Sequence, residues 1–232
     1  MVESADRDGV RVVTLRRPPV NAIHLEMVEA IAEAIAQAAG DPACAALVLT
    51  GQPGVFSAGI DTREVPAYDA EKRAAMLRAI NRTILALYGL AKPAVAAISG
   101  HALGGALVFA LACDMRLAAR GPFQLGLTEA RAGVPFPAGP LAVVQAELSP
   151  STARLLMLTS LTAPPDSPLL HPGVIDRVLP QDALLDAALS EARQLASQPA
   201  HARVKAQLRA ATLERLTRIA ARDEEPMLAH WV

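Results

Sequence analysis

The sequence has little cysteine, few aromatic residues and almost no net charge. Its two cysteines, Cys44 and Cys113, lie in apolar runs without CxxC spacing, which predicts reduced core thiols in a cytoplasmic protein. Aromatic residues make up 3% of the chain and the net charge is −1, so nothing favours nucleic-acid binding. The polar start, MVESADRDGV, lacks the apolar core of a signal peptide.

Three common catalytic signatures are also missing. No Gly-Lys-Ser/Thr follows the glycines at 51–54 and GxGxxG is absent, which argues against a phosphate loop or a dinucleotide motif. Ser57 lies outside a GxSxG sequence, which argues against a hydrolase nucleophile. The five histidines show no metal-ligand spacing, so we expect no metal site.

The residues that are present predict an α/β domain. The chain has 232 residues, 52% of them hydrophobic, which is enough for one large core. Val10–Leu15 and Cys44–Thr50 have strand character, and the apolar spacing over 25–39 is that of an amphipathic helix. Strand, helix and strand in this order predict a βαβ unit.

The longest apolar segment, residues 93–119, predicts a strand, a glycine turn and a helix. Backbone N–H groups at such a turn lack partners and suit an oxyanion, and we assign one of them to Gly105. A transmembrane helix is the alternative, because 94–113 carries almost no charge. The glycine cluster and the strand-forming residues 95–99 favour a buried strand followed by a buried helix.

Three motifs resemble those of the crotonase (enoyl-CoA hydratase/isomerase) superfamily: FSAGID at 56–61, GHALGGA at 100–106 and LTEARAGVP at 127–135. The resemblance covers nearly the whole chain. It implies an α/β crotonase (ClpP-like) spiral of ββα units in residues 1–160 and a C-terminal helical region in 161–232. It also implies an acyl-CoA thioester substrate, no cofactor beyond the substrate's own coenzyme A, and a homotrimer or dimer of trimers.

The resemblance also implies the catalytic groups. The backbone N–H groups of Ala58 and Gly105 match the family's oxyanion hole, and Glu129 matches a catalytic glutamate. Val108 stands where the hydratases have a second glutamate. Because hydration uses two carboxylates and a double-bond shift needs one, we expect a relative of the Δ3,Δ2-enoyl-CoA isomerases. The alternatives are a hydratase that recruits Asp61 or Glu64, and a module that binds acyl-CoA or a protein without turnover.

The resemblance implies coenzyme A contacts at several positions. The basic side chains among them have two possible roles. Lys205, with Arg203 and Arg209, would meet the 3′-phosphate, or these side chains would only solvate a helix face. Asp114 and Arg116 are expected to form an ion pair. The residues that the resemblance implies for coenzyme A are Asn21, Ala22, Ile23, Ser57, Ala58, Gly104 and Lys205.

Overall fold

The computed structural model describes residues 1–171, 173–222, 225, 227 and 228. The remaining positions of the predicted C-terminal region lie outside the described residues. The strands are β1 Val2–Arg7, β2 Val10–Leu15, β3 Ala46–Thr50, β4 Gly54–Ser57, β5 Ala94–Ile98, β6 Gly100–Leu103, β7 Met115–Ala119, β8 Leu125–Gly126, β9 Thr162–Ala163 and β10 Arg177–Leu179. The helices are α1 Leu25–Gly40, α2 Ala70–Tyr88, α3 Gly105–Leu111, α4 Glu129–Ala132, α5 Ala138–Glu147, α6 Pro150–Thr159, α7 Leu184–Ala196 and α8 His201–Ala221.

The main sheet has the order β1-β2-β3-β5-β7-β10 and is parallel apart from the β1–β2 pair. The predicted βαβ unit is confirmed, because β2 pairs in parallel with β3 and α1 connects them. Every residue of β3 and β5 is buried. Such fully apolar strands are typical of a parallel sheet that is covered on both faces.

A second sheet has the order β4-β6-β8-β9. Its strands β4, β6 and β8 each follow directly along the chain from a strand of the main sheet, namely β3, β5 and β7. The order β3-β4-α2, β5-β6-α3 and β7-β8-α4 therefore gives the predicted ββα pattern. The sequence prediction missed β6, which it assigned to a turn. Gly100 pairs with Gly54 so closely that a Cβ on Gly100 would lie 2.0 Å from the Gly54 carbonyl carbon. Glycine at this position serves a close strand contact and not a chain reversal.

The C-terminal helices pack on the core at two places. α7 covers β3, β5 and β7, and α8 packs on α2 and α5. The boundary expected at 160/161 runs through both sheets, because β9 pairs with β8 and β10 pairs with β7. The apolar segment 94–113 divides into β5, β6 and α3. Among the described helices, none is long and apolar enough to cross a membrane.

Candidate active site

The three sequence motifs meet at one edge of the second sheet. Ile60 follows β4, Gly105 follows β6 and Glu129 follows β8. Because β4, β6 and β8 are parallel neighbours, their carboxyl ends lie side by side. All three residues line the same two adjoining cavities, an inner apolar one and a more open one next to it.

Gly104 brings the backbone close to the Glu129 carboxyl group. Its φ of 55° and ψ of −132° are accessible to glycine, and a Cβ there would lie 3.3 Å from Glu129 Oε1. A side chain at residue 104 would therefore press on the carboxylate. The GG pair thus fixes the start of α3 against the side chain that follows β8.

Glu129 is a buried carboxyl group that has no charged partner in the part of the chain that the structure describes. The residue is 7% exposed, and its Oε2 accepts no hydrogen bond from the described residues. Burial raises its pKa to about 7, against the opposing effect of a hydrogen bond from its own backbone N–H. A carboxyl group with this pKa can both accept and donate a proton near neutral pH.

Glu129 is expected to lower stability at neutral pH. Between its ordinary pKa of 4.5 and about 7 the folded chain keeps a proton that the unfolded chain loses, so the free energy of unfolding falls as pH rises. The rise corresponds to roughly 3 kcal/mol. Denaturant titrations should therefore show Glu129→Gln gaining stability over wild type from pH 5 to pH 8. A difference that is independent of pH would contradict this.

The amide groups near Glu129 differ from the prediction. The Ala58 N–H donates to the Val20 carbonyl oxygen at 2.9 Å, so it is not available to a substrate oxygen. The Ile60 N–H has no hydrogen-bond partner among the described residues. The structure therefore corrects the expectation for Ala58 and offers Ile60 in its place.

A short parallel bridge explains why Ile60 is the free donor. Ile23 N donates to the Gly59 oxygen at 2.8 Å, and Asp61 N donates to the Ile23 oxygen at 2.8 Å. Backbone groups alternate in direction along an extended segment, so the Ile60 N–H points away from Ile23. The pairing of 23 with 60 is a long-range contact that the motif FSAGID does not reveal.

Gly105 keeps the role that the sequence predicted for it. It is the first residue of α3, and no described residue accepts a hydrogen bond from its N–H. Apart from its chain neighbours and the backbone of α3 itself, no described heavy atom lies within 4 Å of the position that a Cβ would occupy, so the space beside it is open. Within the described chain, Ile60 and Gly105 thus have two backbone amides without acceptors, and both residues line the same two cavities as Glu129.

The predicted coenzyme A residues lie in several different places. Asn21 and Ser57 are fully buried. Ser57 Oγ donates to the Asn21 backbone carbonyl oxygen at 2.6 Å and Asn21 Nδ2 donates to the Phe56 carbonyl oxygen at 3.0 Å, so their side chains hold the loops together. Ala22 and Ala58 line an outer groove, in which Arg63 is an exposed cation. Ile23 lines the inner cavity, and Gly104 lines the adjoining one.

Lys205 lies elsewhere, in a buried charge cluster. Its Nζ is 2.9 Å from Asp114 Oδ2, and Arg209 Nη1 is 3.1 Å from Asp114 Oδ1. Burial lowers the pKa of Lys205 although Asp114 opposes this. Lys205 therefore contacts neither cavity nor the outer groove, and neither it nor Arg209 solvates a helix face.

The prediction of an Asp114–Arg116 ion pair is also wrong, because Arg116 pairs with Glu147 and Asp176.

Lys205 and Arg63 should respond differently to substitution. Lys205→Met leaves Asp114 with fewer partners and should cost about 3–5 kcal/mol of unfolding free energy without raising the Kd for coenzyme A. Arg63→Ala should weaken coenzyme A binding with little loss of stability, because it removes an exposed cation from the outer groove. Calorimetric binding and thermal unfolding of both variants measure the contrast. The reverse pattern would restore the original assignment of Lys205.

Asp61 and Glu64 both form ion pairs with Arg17. Arg17 donates to Asp61 Oδ2 at 2.7 Å and to Glu64 Oε2 at 2.9 Å. Burial alone would raise the pKa of Asp61, but hydrogen bonds from Arg17 and from two backbone N–H groups lower it below its ordinary value. A carboxylate held in its ionised form is a poor general acid.

One group of described residues has atoms close enough to hold a cation. Ligand atoms of His24, Glu26 and Glu64 lie within 4.8 Å of one another. Protein cations already neutralise its carboxylates, since Lys72 Nζ lies 2.9 Å from Glu26 and Arg17 pairs with Glu64. The sequence did not indicate this cluster, because its members come from separate elements.

Comparison with known proteins identifies the family. Residues 5–230 match the family model described as enoyl-CoA hydratase/isomerase. The human mitochondrial enoyl-CoA delta isomerase 1 is 31% identical over 220 residues, which cover 93% of this chain and 72% of that protein. A probable enoyl-CoA hydratase, EchA17 of Mycobacterium tuberculosis, is 32% identical over 195 residues, which cover 84% and 74%.

Solved structures confirm the fold. An enoyl-CoA hydratase/isomerase family protein from Pseudomonas syringae superposes with a TM-score of 0.88 at 26% identity, covering 100% of this chain and 98% of that one. The human mitochondrial delta3-delta2-enoyl-CoA isomerase gives 0.85 at 28% identity, covering 95% and 90%. The predicted crotonase spiral is confirmed, and the chain belongs to the enoyl-CoA hydratase/isomerase family.

Proposed function

We propose that the protein is an enoyl-CoA isomerase that moves a double bond along an acyl-CoA chain with one carboxyl group. The observation that carries this proposal is the lining of the inner cavity, where Glu129 is the one ionisable side chain among the described residues. Val108, which lines the same cavity, has no proton to exchange. Asp61 and Glu64, the acids of the hydratase alternative, are paired with Arg17 outside it.

The reaction needs one base and one oxyanion site. The Glu129 carboxylate takes a proton from C2 of a 3-enoyl thioester, and the electron pair moves into the carbonyl to give an enolate oxygen. The amides of Ile60 and Gly105 stabilise that oxygen in a site with little water. Glu129 then returns the proton to C4, and the double bond comes to lie between C2 and C3. Atoms and charge balance without water or a further reactant.

The substrate's coenzyme A is proposed to lie in the outer groove. Ala22, Ala58 and Arg63 line that groove, and Ile60 belongs to both groove and inner cavity, so an acyl chain can continue from one to the other. We also propose the homotrimer or dimer of trimers that the family resemblance implies. Val204 and Leu208 support it as exposed apolar side chains on α8.

Val108→Glu should introduce hydration of 2-enoyl-CoA. The new carboxyl group would line the cavity beside Glu129 and would supply the second acid–base group that hydration requires. Two buried carboxyls so close raise each other's pKa, so the isomerase rate at pH 7 should fall. Val108→Gln is the control of equal size. If the variant folds and gains no hydration above the control, Val108 does not separate the two reactions.

A spectroscopic assay tests the proposal. The purified protein should convert a 3-enoyl-CoA into the conjugated 2-enoyl-CoA, which is followed by its ultraviolet absorbance. Hydration of 2-enoyl-CoA without this conversion would favour the hydratase alternative. Binding of acyl-CoA with turnover of neither thioester would favour a binding module.

A further inference from the structure

The inner cavity lies between two walls that come from distant parts of the chain. Ile80 and Ile84 of α2 form one wall, and Pro137 and Pro140 at the start of α5 form the other. Phe109 of α3 completes the apolar lining. An acyl chain longer than the reacting carbons must pass between these walls.

A buried hydrogen-bonded clamp ties the two walls together. Asn81, which follows Ile80, accepts a hydrogen bond from Gly139 N at 2.9 Å through Oδ1 and donates to Glu225 Oε2 at 2.7 Å through Nδ2. Glu225 also accepts from Ala138 N at 3.2 Å. Asn81 and Glu225 are 5% and 7% exposed. Glu225 therefore places its carboxyl group at the N-terminus of α5, where the helix favours negative charge.

The clamp leaves the walls little freedom to separate. A Cβ on Gly139 would lie 2.7 Å from Asn81 Oδ1, so α5 approaches α2 as closely as a glycine permits. Moving the walls apart would break buried hydrogen bonds and leave the Glu225 carboxylate with the Met227 N–H as its one donor among the described residues. Such losses are costly in a low-dielectric interior.

The space between the walls is small. The inner cavity measures about 20 Å³, against about 480 Å³ for the outer groove, so the gap between the walls is narrow. We infer that the protein acts on short-chain acyl thioesters, with Asn81 and Glu225 as positioning residues that hold the acyl pocket closed. This inference rests on the proposed function and names its substrate class.

The test compares chain lengths in binding and in turnover. Titrations with butanoyl-, hexanoyl- and decanoyl-CoA, and kcat/KM for 3-enoyl-CoAs of the same lengths, should both favour four and six carbons over ten by at least about tenfold. Equal or better use of ten carbons would overturn the inference and leave the isomerase proposal standing. Short-chain binding without turnover would contradict the isomerase proposal and keep the size limit. Failure of every acyl-CoA to bind would contradict both.

Variants separate the clamp from general stability. Ile84→Ala opens the cavity and should shift preference toward longer chains, whereas Leu77→Ala, which removes a buried side chain of the same helix away from the cavity, should not. Glu225→Ala should broaden the length profile, and Glu225→Gln, which keeps one acceptor oxygen, should restore much of it. A profile that stays unchanged in folded Ile84→Ala and Glu225→Ala proteins would overturn the role of these residues.

Discussion

Glu129→Gln is expected to lower kcat for the double-bond shift by about 10²–10⁴-fold, because it removes the one group that can carry the proton from C2 to C4. The amide has nearly the same size as the carboxyl group, so the cavity and the KM for the thioester should change little. Single-turnover measurements with a 3-enoyl-CoA separate the chemical step from binding. An undiminished rate in the variant would remove Glu129 from the mechanism.

The pH dependence gives a second signature of the same group. The base must be ionised, and burial raises the pKa of Glu129 to about 7, so kcat/KM should fall tenfold per pH unit below that value. With a glutamate of ordinary pKa, kcat/KM would not change with pH until the pH fell to about 4.5. A flat profile between pH 5 and pH 8 in a protein that remains folded would contradict the assignment.

Gly105→Pro is the second large effect that we expect. Proline lacks the N–H and should cost about 10²–10³-fold in kcat if that amide holds the enolate oxygen. The substitution suits the helix, since proline is well accepted at the first helical position, which Gly105 occupies in α3.

Gly105→Ala is the matched control, because it adds a side chain and keeps the N–H. It should retain far more activity than the proline variant, because the space beside Gly105 is open and can take a methyl group. Equal loss in both variants would mean that bulk beside the substrate matters and the amide does not. Circular dichroism and thermal unfolding check that α3 remains intact.

The local parts of the fold and site were predictable from sequence. The strands at Val10–Leu15 and Ala46–Thr50 follow from apolar runs, and the grouping of Gly105 with Glu129 in one site follows from the resemblance of their motifs to those of the crotonase superfamily. A periodic apolar pattern and a glycine turn depend only on residues that are close together in the chain, so both can be recognised from a single sequence.

Features that depend on distant contacts were not predictable. The N–H of Ile60, and not that of Ala58, is left without an acceptor because Ile60 lies opposite Ile23 in the parallel bridge and Ala58 donates to the Val20 oxygen. The burial of Lys205 depends on Asp114, far away in the chain. Neither the Ile23–Ile60 bridge nor the Lys205–Asp114 ion pair has a local signal in the sequence. An exposed lysine and a buried one occur at the same spacing along a helix, so only the position of the partner distinguishes them.

The most direct test measures isomerase and hydratase rates of the wild-type protein side by side. Short-chain 3-enoyl-CoA and 2-enoyl-CoA are incubated separately, and the products are separated and weighed by mass spectrometry. A single-carboxylate isomerase predicts 2-enoyl-CoA of unchanged mass from the first substrate and no hydrated product from the second above the uncatalysed rate. Rapid gain of one water by 2-enoyl-CoA, with no double-bond shift in 3-enoyl-CoA, would contradict it.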